Sequence, residues 1–252
     1  MVKAAVVGCT GKLGQSIVKN ILLRTDIEVC YAVARKANRY IGHNISELVG
    51  GNTGIVIIDD IEVALDCDVI IDCTNASAFI KDNFEKYEKL KKPLVIATTA
   101  FSENDLKKIK YLAKQMPVFM TGNFSIALHD FIETLKFAVK RLSPNTDIQI
   151  IEYHHREKKD APSGTAIMIR NALTEANGKI SSDNISVCSI RGGNIFGEHE
   201  VIFYSCKDEI VSFKHSVSSR EAFAEGAISA MIWTAYQTNG LYGMDDLCEI
   251  EK

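Results

Sequence analysis

The stretch EYHHREKKDAPSGTA, residues 152–166, gathers two adjacent histidines, three cations and a Pro-Ser-Gly-Thr turn. Three chemistries could explain it: a metal site, a solvated polar loop or a catalytic site. Glu152, His154 and His155 are close enough in sequence to suggest a metal. Adjacent side chains on a strand face opposite ways, however, so His154 and His155 are badly placed to share one ion. The H-E-x-x-H pattern is absent, and no metal is expected. Alternating Lys and Glu suit a plain surface loop, but the segment from Pro162 onward does not. Pro162 halts regular structure, Ser163 can cap a helix, and Gly164 and Thr165 fall in its first turn, where backbone N–H groups attract an anion. Lys158, Lys159 and an imidazole at 154 or 155 could converge there on a small carboxylated substrate. An imidazole of ordinary pKa ~6.5 is a natural proton donor near neutrality.

A second motif lies at the start. VVGCTGKLG places Gly8, Gly11 and Gly14 as G-x-x-G-x-x-G between a strand-like and a helix-like run. Glycines there allow a tight turn and let the backbone approach a pyrophosphate, while the helix N-terminus supplies N–H donors. NAD-selective sites usually carry an acid ~20 residues further on, to hold the ribose 2′-hydroxyl. Here the stretch is AVARKANR, with Ala34, Arg35 and Lys36 and no carboxylate. A 2′-phosphate would be attracted and nothing would repel it. NADPH is therefore expected to be accepted and preferred, with NADH possible. The plainer reading of Arg35 and Lys36 is a pair of solvated loop charges.

These motifs need elements to position them. Through residue 123 strand-like and helix-like runs alternate: 3–8, 27–34, 53–58, 67–74, 93–99 and 117–123 as strands, with 11–24, 76–92 and 102–115 as helices. Leu13, Ile17, Ile21 and Leu22 mark one face of the first helix, and Ser102 with Asp105 resembles a capping box. Alternation of this kind predicts a parallel sheet with helices on both faces. The pattern then changes. Residues 124–142 read as a long amphipathic helix. Residues 147–155 read as a strand leading into the His motif, and 163–178 as a helix capped by Ser163 and ended by Gly178. NISVCSIRGG, HEVIFYSC and EIVSFKHSV read as strands of a mixed or antiparallel sheet, and 219–240 as a final helix ending at a glycine. A domain boundary is expected near residue 125.

Composition narrows the class. The chain has 252 residues, 46% apolar and 24% charged, with a net charge of -3, which fits a soluble globular protein of two modest domains. No long basic run suggests nucleic acid, and no stretch approaches the ~18 apolar residues of a membrane span. MVKAAVVGCTG reads directly as a strand and turn, so no signal peptide is expected. Seven scattered cysteines without a C-x-x-C pair read as free thiols in a reducing compartment, the cytoplasm.

From Glu152 to Ala166 the chain matches E-x-H-H-x-x-K-x-D-A-P-S-G-T-A, and here it closely resembles the dihydrodipicolinate (4-hydroxy-tetrahydrodipicolinate) reductase family. Further echoes are the Gly8 loop, DCDVIIDCT (66–74), VIATTAF (95–101), GNFSIAL (122–128), IRGGNIFGEHEVIF (190–203), HSVSSREAFAEGAI (215–228) and GLYGMDDL (240–247). The resemblance implies an α/β protein. A Rossmann-type dinucleotide domain would span 1–125, with 221–252 returning to it, and an α+β substrate-binding and tetramerisation domain would span 126–220. It implies NAD(P)H-dependent reduction of a cyclic imine dicarboxylate in the diaminopimelate route to lysine, by a homotetramer. By the same resemblance, His154 is the proton donor and Lys158 the catalytic lysine. His155 and the turn of Ser163, Gly164 and Thr165 bind the substrate carboxylate. Cofactor contacts would come from Gly8, Cys9, Thr10, Gly11, Lys12 and Leu13, from Arg35 and Lys36, from Ala97, Thr98 and Thr99, and from Thr121, Gly122, Asn123 and Phe124. Three places depart from the family pattern: Ala97-Thr98-Thr99-Ala100 for G-T-T-G, IDCTNAS for D-F-T-x-P, and Ala34 for a Glu before Arg35. The alanines are tolerable if neither position needs φ > 0. The competing functions are a catalytically silent NAD(P) sensor and a reductase of another small cyclic imine.

Overall fold

The computed structural model describes residues 1–142, 146–204 and 209–249. Contacts divide the chain into two compact units, Met1–Ser125 joined by the segment from Glu221 onward, and Ile126–Arg220. The first unit runs β1 (Val2–Val7), α1 (Lys12–Ile21), β2 (Ile27–Val33), α2 (Ser46–Val49), β3 (Ile57–Ile58), β4 (Val69–Asp72), α3 (Ala76–Ala78), α4 (Phe84–Leu90), β5 (Leu94–Ile96), α5 (Glu103–Leu112) and β6 (Pro117–Met120). The second holds α6 (Ile126–Val139), β7 (Asp147–His154), α7 (Gly164–Ala176), β8 (Ile185–Arg191), β9 (Gly197–Tyr204) and β10 (Ile210–Val217). The chain then adds α8 (Glu221–Thr234), β11 (Gly240–Tyr242) and α9 (Met244–Cys248) to the first unit.

The sheet of the first unit is parallel throughout, in the order β11-β6-β5-β4-β1-β2-β3. Its central strands are apolar on both faces because helices cover both. Val2, Ala4 and Val6 of β1 pack with Ile17, Val18 and Ile21 of α1 and with Ala227, Ile228 and Met231 of α8. Ala5 and Val7 face the other way, toward Phe79, Tyr87, Ile109 and Leu112. The helix α8 lies close to backbone: a Cβ at Gly226 would stand 1.7 Å from the Phe124 carbonyl oxygen. Only glycine fits there.

The second unit has a mixed sheet, β10-β9-β7-β8, in which β7 runs parallel to β8 and antiparallel to β9. Residues Ile148 and Ile150 of β7 pack on Leu128, Leu135, Ile169 and Leu173 of α6 and α7. The period of two continues, so Glu152 and His154 point to that same inner face and are buried.

The structure corrects several element boundaries. The strand expected over 53–58 shrinks to Ile57–Ile58, because Gly50, Gly51 and Gly54 turn the chain at positive φ, and Val56 bridges Asn44 instead. The helix expected over 76–92 is interrupted by a π turn at Phe79–Asn83. Leu22 lies beyond α1 and is exposed. The helix α7 closes on Asn177, and Gly178 does not adopt the left-handed conformation. The helix α8 ends at Thr234, and Gly240 opens an edge strand that apolar periodicity did not announce. The Ser102–Asp105 capping box is present. Residues 205 and 206 of HEVIFYSC lie outside the described residues.

Candidate active site

Two clusters of candidate residues form, one in each unit. In the first unit, Gly8 leaves β1 at φ +84, and a Cβ there would meet the Cys73 carbonyl oxygen at 2.8 Å. A Cβ on Gly14 would stand 2.4 Å from the Gly8 oxygen. The loop is thus folded tightly against its own helix, and Gly11 starts α1 with no side chain across its end. A loop of this shape can cradle a pyrophosphate. Cys9 is fully buried and burial pushes its thiol up to about 12, so it offers only backbone. The Thr10 hydroxyl accepts from Asn38 Nδ2 at 3.0 Å. Lys12 is exposed and Leu13 packs on the core.

Beside Gly8 opens a cavity of about 640 Å³ lined by Arg35, Lys36, Asp59, Thr74 and Asp82 among others. A smaller one of about 310 Å³ is lined by Thr10, Arg35, Asn38, Arg39 and Tyr40. Arg35 borders both. Arg39, which sequence reasoning passed over, lies over the Tyr40 ring with its guanidinium carbon 4.7 Å from the centroid. Asp59 and Asp82 also lie on the wall of the larger cavity.

The loops after β4 and β5 are tied to one fully buried carboxylate. Asp72 accepts from the Thr74 amide (2.9 Å) and hydroxyl (2.6 Å), Asn83 (3.1 Å), Tyr87 (2.5 Å) and Thr98 (3.0 Å). This revises the part of Thr98: its hydroxyl is turned inward and holds the loop, leaving backbone as its outward face. Thr99 is exposed, and Ala97 half-buried. Ala100 sits at φ +64, so the condition under which alanine costs nothing there is not met. Past β6, the Thr121 hydroxyl and the Asn123 backbone bond each other around exposed Gly122. Phe124 is a core residue, stacked on Phe119.

In the second unit Glu152 has no exposed surface. Arg191 grips it with two bonds, Nη1 to Oε2 at 2.8 Å and Nη2 to Oε1 at 2.7 Å. The Ser163 amide donates to Oε1 at 3.1 Å, and His154 Nδ1 meets Oε2. Burial alone would raise the carboxyl pKa, but the bonds from Arg191, Ser189, His154 and Ser163 outweigh it and hold it down to about 2. His154 is 7% exposed. Burial lowers its pKa, against the opposing pull of Glu152. A Cβ on Gly197 would lie 3.3 Å from His154 Nε2, so this glycine keeps that nitrogen uncrowded.

His199 packs edge-on to His154, ring centres 5.4 Å apart, and His215 lies 6.4 Å beyond it. Burial first, then the neighbouring His154 and His215, lower His199 to about 3, so it is neutral near pH 7. His155 follows the end of β7 and is half-buried. Lys158 pairs with Asp160 at 2.9 Å, whereas Lys159 is exposed. Ser163 caps α7 by accepting from the Ala166 amide at 3.1 Å, is 1% exposed, and lies 3.4 Å from His199 Nε2. Its side chain thus builds the turn, of which Gly164 and Thr165 are the more accessible part.

Sequence reasoning assigned no role to Glu152, Arg191, His199 or His215. The signal for Glu152 was available, since it lies two residues from His154 on one strand face. Arg191 and His199 become neighbours only through strand register, His154 with Arg191 and Glu152 with His199.

Comparison with known proteins places a boundary at the same point near residue 125, though the C-terminal match runs on through the segment that returns to the first unit. The family model described as "Dihydrodipicolinate reductase, N-terminus" matches residues 2–124, and that described as "Dihydrodipicolinate reductase, C-terminus" matches residues 126–248. A 4-hydroxy-tetrahydrodipicolinate reductase of Buchnera aphidicola subsp. Schizaphis graminum is 35% identical, covering 97% of this chain and 96% of its own. That of Wolbachia pipientis subsp. Culex pipiens is 36% identical, covering 98% and 99%. A dipicolinate-bound dihydrodipicolinate reductase from Paenisporosarcina sp. TG-14 shares the fold with a TM-score of 0.76 at 23% identity, over 98% of this chain and 99% of its own. With both halves matched and a nucleotide cradle and buried histidine site in place, the chain belongs to the dihydrodipicolinate reductase family.

Proposed function

We propose that this protein reduces 4-hydroxy-tetrahydrodipicolinate, by way of dihydrodipicolinate, to tetrahydrodipicolinate, using NAD(P)H. The observation that carries this reading is the buried His154 beside a helix-start anion turn, in a chain matched along nearly its whole length by reductases of that name. The first unit holds the dinucleotide: Gly8–Leu13 take the pyrophosphate, and the exposed parts of 97–99 and 121–123 border the rest. NADPH is the preferred cofactor, because Arg35, Lys36 and Arg39 gather beside the glycine loop. Asp59 and Asp82 on the same wall leave NADH usable.

When bound, the reduced nicotinamide supplies hydride to C4 of the conjugated ring. The protein's own residues do the remaining work. The Gly164–Thr165 turn and His155 hold a substrate carboxylate. Lys158, exchanging Asp160 for the substrate, stabilises negative charge developing on the ring or its carboxylate. His154 delivers a proton to the neighbouring carbon. Two carboxylates brought close to His154 counter the burial that disfavours its charged form. The second unit also assembles the protein as a homotetramer: the face of its sheet turned away from α6 and α7 presents Ile151, Tyr153, Cys188, Ile190 and Ile202 half-buried or exposed. A cytoplasmic location suits Cys9, Cys30, Cys67, Cys73 and Cys188, which are thiols rather than disulfides.

The test is NADPH oxidation on supplying the condensation product of aspartate semialdehyde and pyruvate. Substrate-dependent turnover supports the reading. Nucleotide binding without turnover would favour a silent sensor, and turnover only on other cyclic imines would move the substrate assignment.

A further inference from the structure

The carboxylate of Glu152 is held through both of its oxygens, with Ser189 as a further hydrogen-bond partner. Oε2 takes His154 Nδ1 and Arg191 Nη1, and Oε1 takes Arg191 Nη2 and the Ser163 amide. An ionised carboxylate only accepts hydrogen bonds, so the His154 nitrogen facing it must carry the proton. The lone pair of the neutral ring, and the exchangeable proton of the charged ring, are then both at Nε2. That is the nitrogen beside Gly197. The Ser163 amide on the other oxygen belongs to the N-cap of α7, the residue that shapes the anion turn.

We infer that Glu152 is the positioning residue of this site, one buried carboxylate that fixes both the tautomer of His154 and the start of the substrate-carboxylate turn. The inference rests on the reductase reading above, and deepens it. Arg191 is its counter-charge: a buried carboxylate without it would be heavily penalised. Other charged or titratable groups act on His154 from around it. Arg191 on β8 and Lys158 in the loop disfavour its protonation, and neutral His199 on β9 packs against its ring. Asp160 meets Lys158, not His154. Glu152 is thus the carboxylate that sustains the charged imidazole in the free enzyme.

A histidine acting as a general acid is active when protonated, so activity falls as pH rises through its pKa. Glu152→Gln keeps the shape and removes the charge. It is expected to lower kcat by about 10²–10⁴-fold, the range that a positioned general acid supplies, and to move the alkaline limb of the kcat profile to lower pH. NADPH affinity, a property of the first unit, should stay unchanged. A purely structural Glu152 would lower stability and leave the limb where it was, and that result overturns the inference. Should the variant fail to fold, ¹⁵N NMR of the wild-type histidines decides. A His154 protonated at Nδ1 in its neutral form supports the inference, and one protonated at Nε2 overturns it. Wild-type turnover, measured first, separates failure of this inference from failure of the reductase reading, on which the NMR result does not depend.

Discussion

Gly197→Ala is a one-methyl test of which nitrogen of His154 works. The added Cβ would lie 3.3 Å from Nε2, 3.7 Å from Cδ2 and 3.8 Å from His199 Cε1. The first contact is tighter than ordinary van der Waals packing, and the ring has little room to yield: Glu152 holds Nδ1, and His199 backs its side. Gly197 is not at positive φ, so alanine suits the strand and any backbone effect is small. Overpacking of this kind costs about 1–3 kcal/mol, which at ~1.4 kcal/mol per decade is roughly a 5- to 150-fold loss. Because the methyl occupies the space through which Nε2 must reach the substrate, that loss should fall on kcat/KM. The assay is steady-state NADPH oxidation with a parallel binding titration of NADPH and a melting curve. The expected pattern is a kcat/KM loss in that range with NADPH Kd unchanged. A variant with kcat/KM within twofold of wild type would refute the placing of the working proton at Nε2.

Single features elsewhere in the chain carry further predictions. Ala100 sits at φ +64, so Ala100→Gly should relieve strain and raise stability by about 0.5–1 kcal/mol, read as a higher Tm; a lower Tm would contradict it. Arg35→Ala and Arg39→Ala should each weaken NADPH binding several-fold more than NADH binding; equal losses would show these cations act on something other than the 2′-phosphate. Acid should destabilise the fold in two stages. His199, at about 3 in the native state against ~6.5 unfolded, resists protonation that the unfolded chain accepts. Stability therefore falls as pH drops below ~6.5, by up to ~1.4 kcal/mol per unit. Glu152, held at about 2, adds a second loss from ~4.3 downward. Denaturant titrations across pH 7 to 4 should show the first slope in wild type and a weaker one in His199→Gln; identical slopes would refute it.

Most of the architecture was legible because its signals are local. Buried parallel strands appear as apolar runs, and Ser102 and Ser163 announce their helices by caps that need only neighbours in sequence. The glycine loop was legible for the same reason. What escaped depended on distant packing. Gly240 opens an edge strand only because β6 lies ready to pair with it. The π turn at Phe79–Asn83 lies where Asn83 and Tyr87 both reach Asp72. In the site, His154, Lys158, the Gly164–Thr165 turn and Glu152 sit in one motif, but Arg191 and His199 come from β8 and β9. Ser163 and Thr98 look like ligand contacts by type and place. Their side chains also make internal hydrogen bonds, which become visible only once burial is known.

The proposed chemistry turns on His154 giving a proton to a small dicarboxylate imine reduced by a bound nicotinamide. Its most direct test is NADPH oxidation by wild type and His154→Gln, with substrate formed in situ from aspartate semialdehyde and pyruvate. The expected result is substrate-dependent oxidation by wild type and a loss of about 10²–10⁴-fold in the variant, at unchanged NADPH affinity. Wild type without substrate-dependent oxidation, or a variant that turns over as fast, would contradict it.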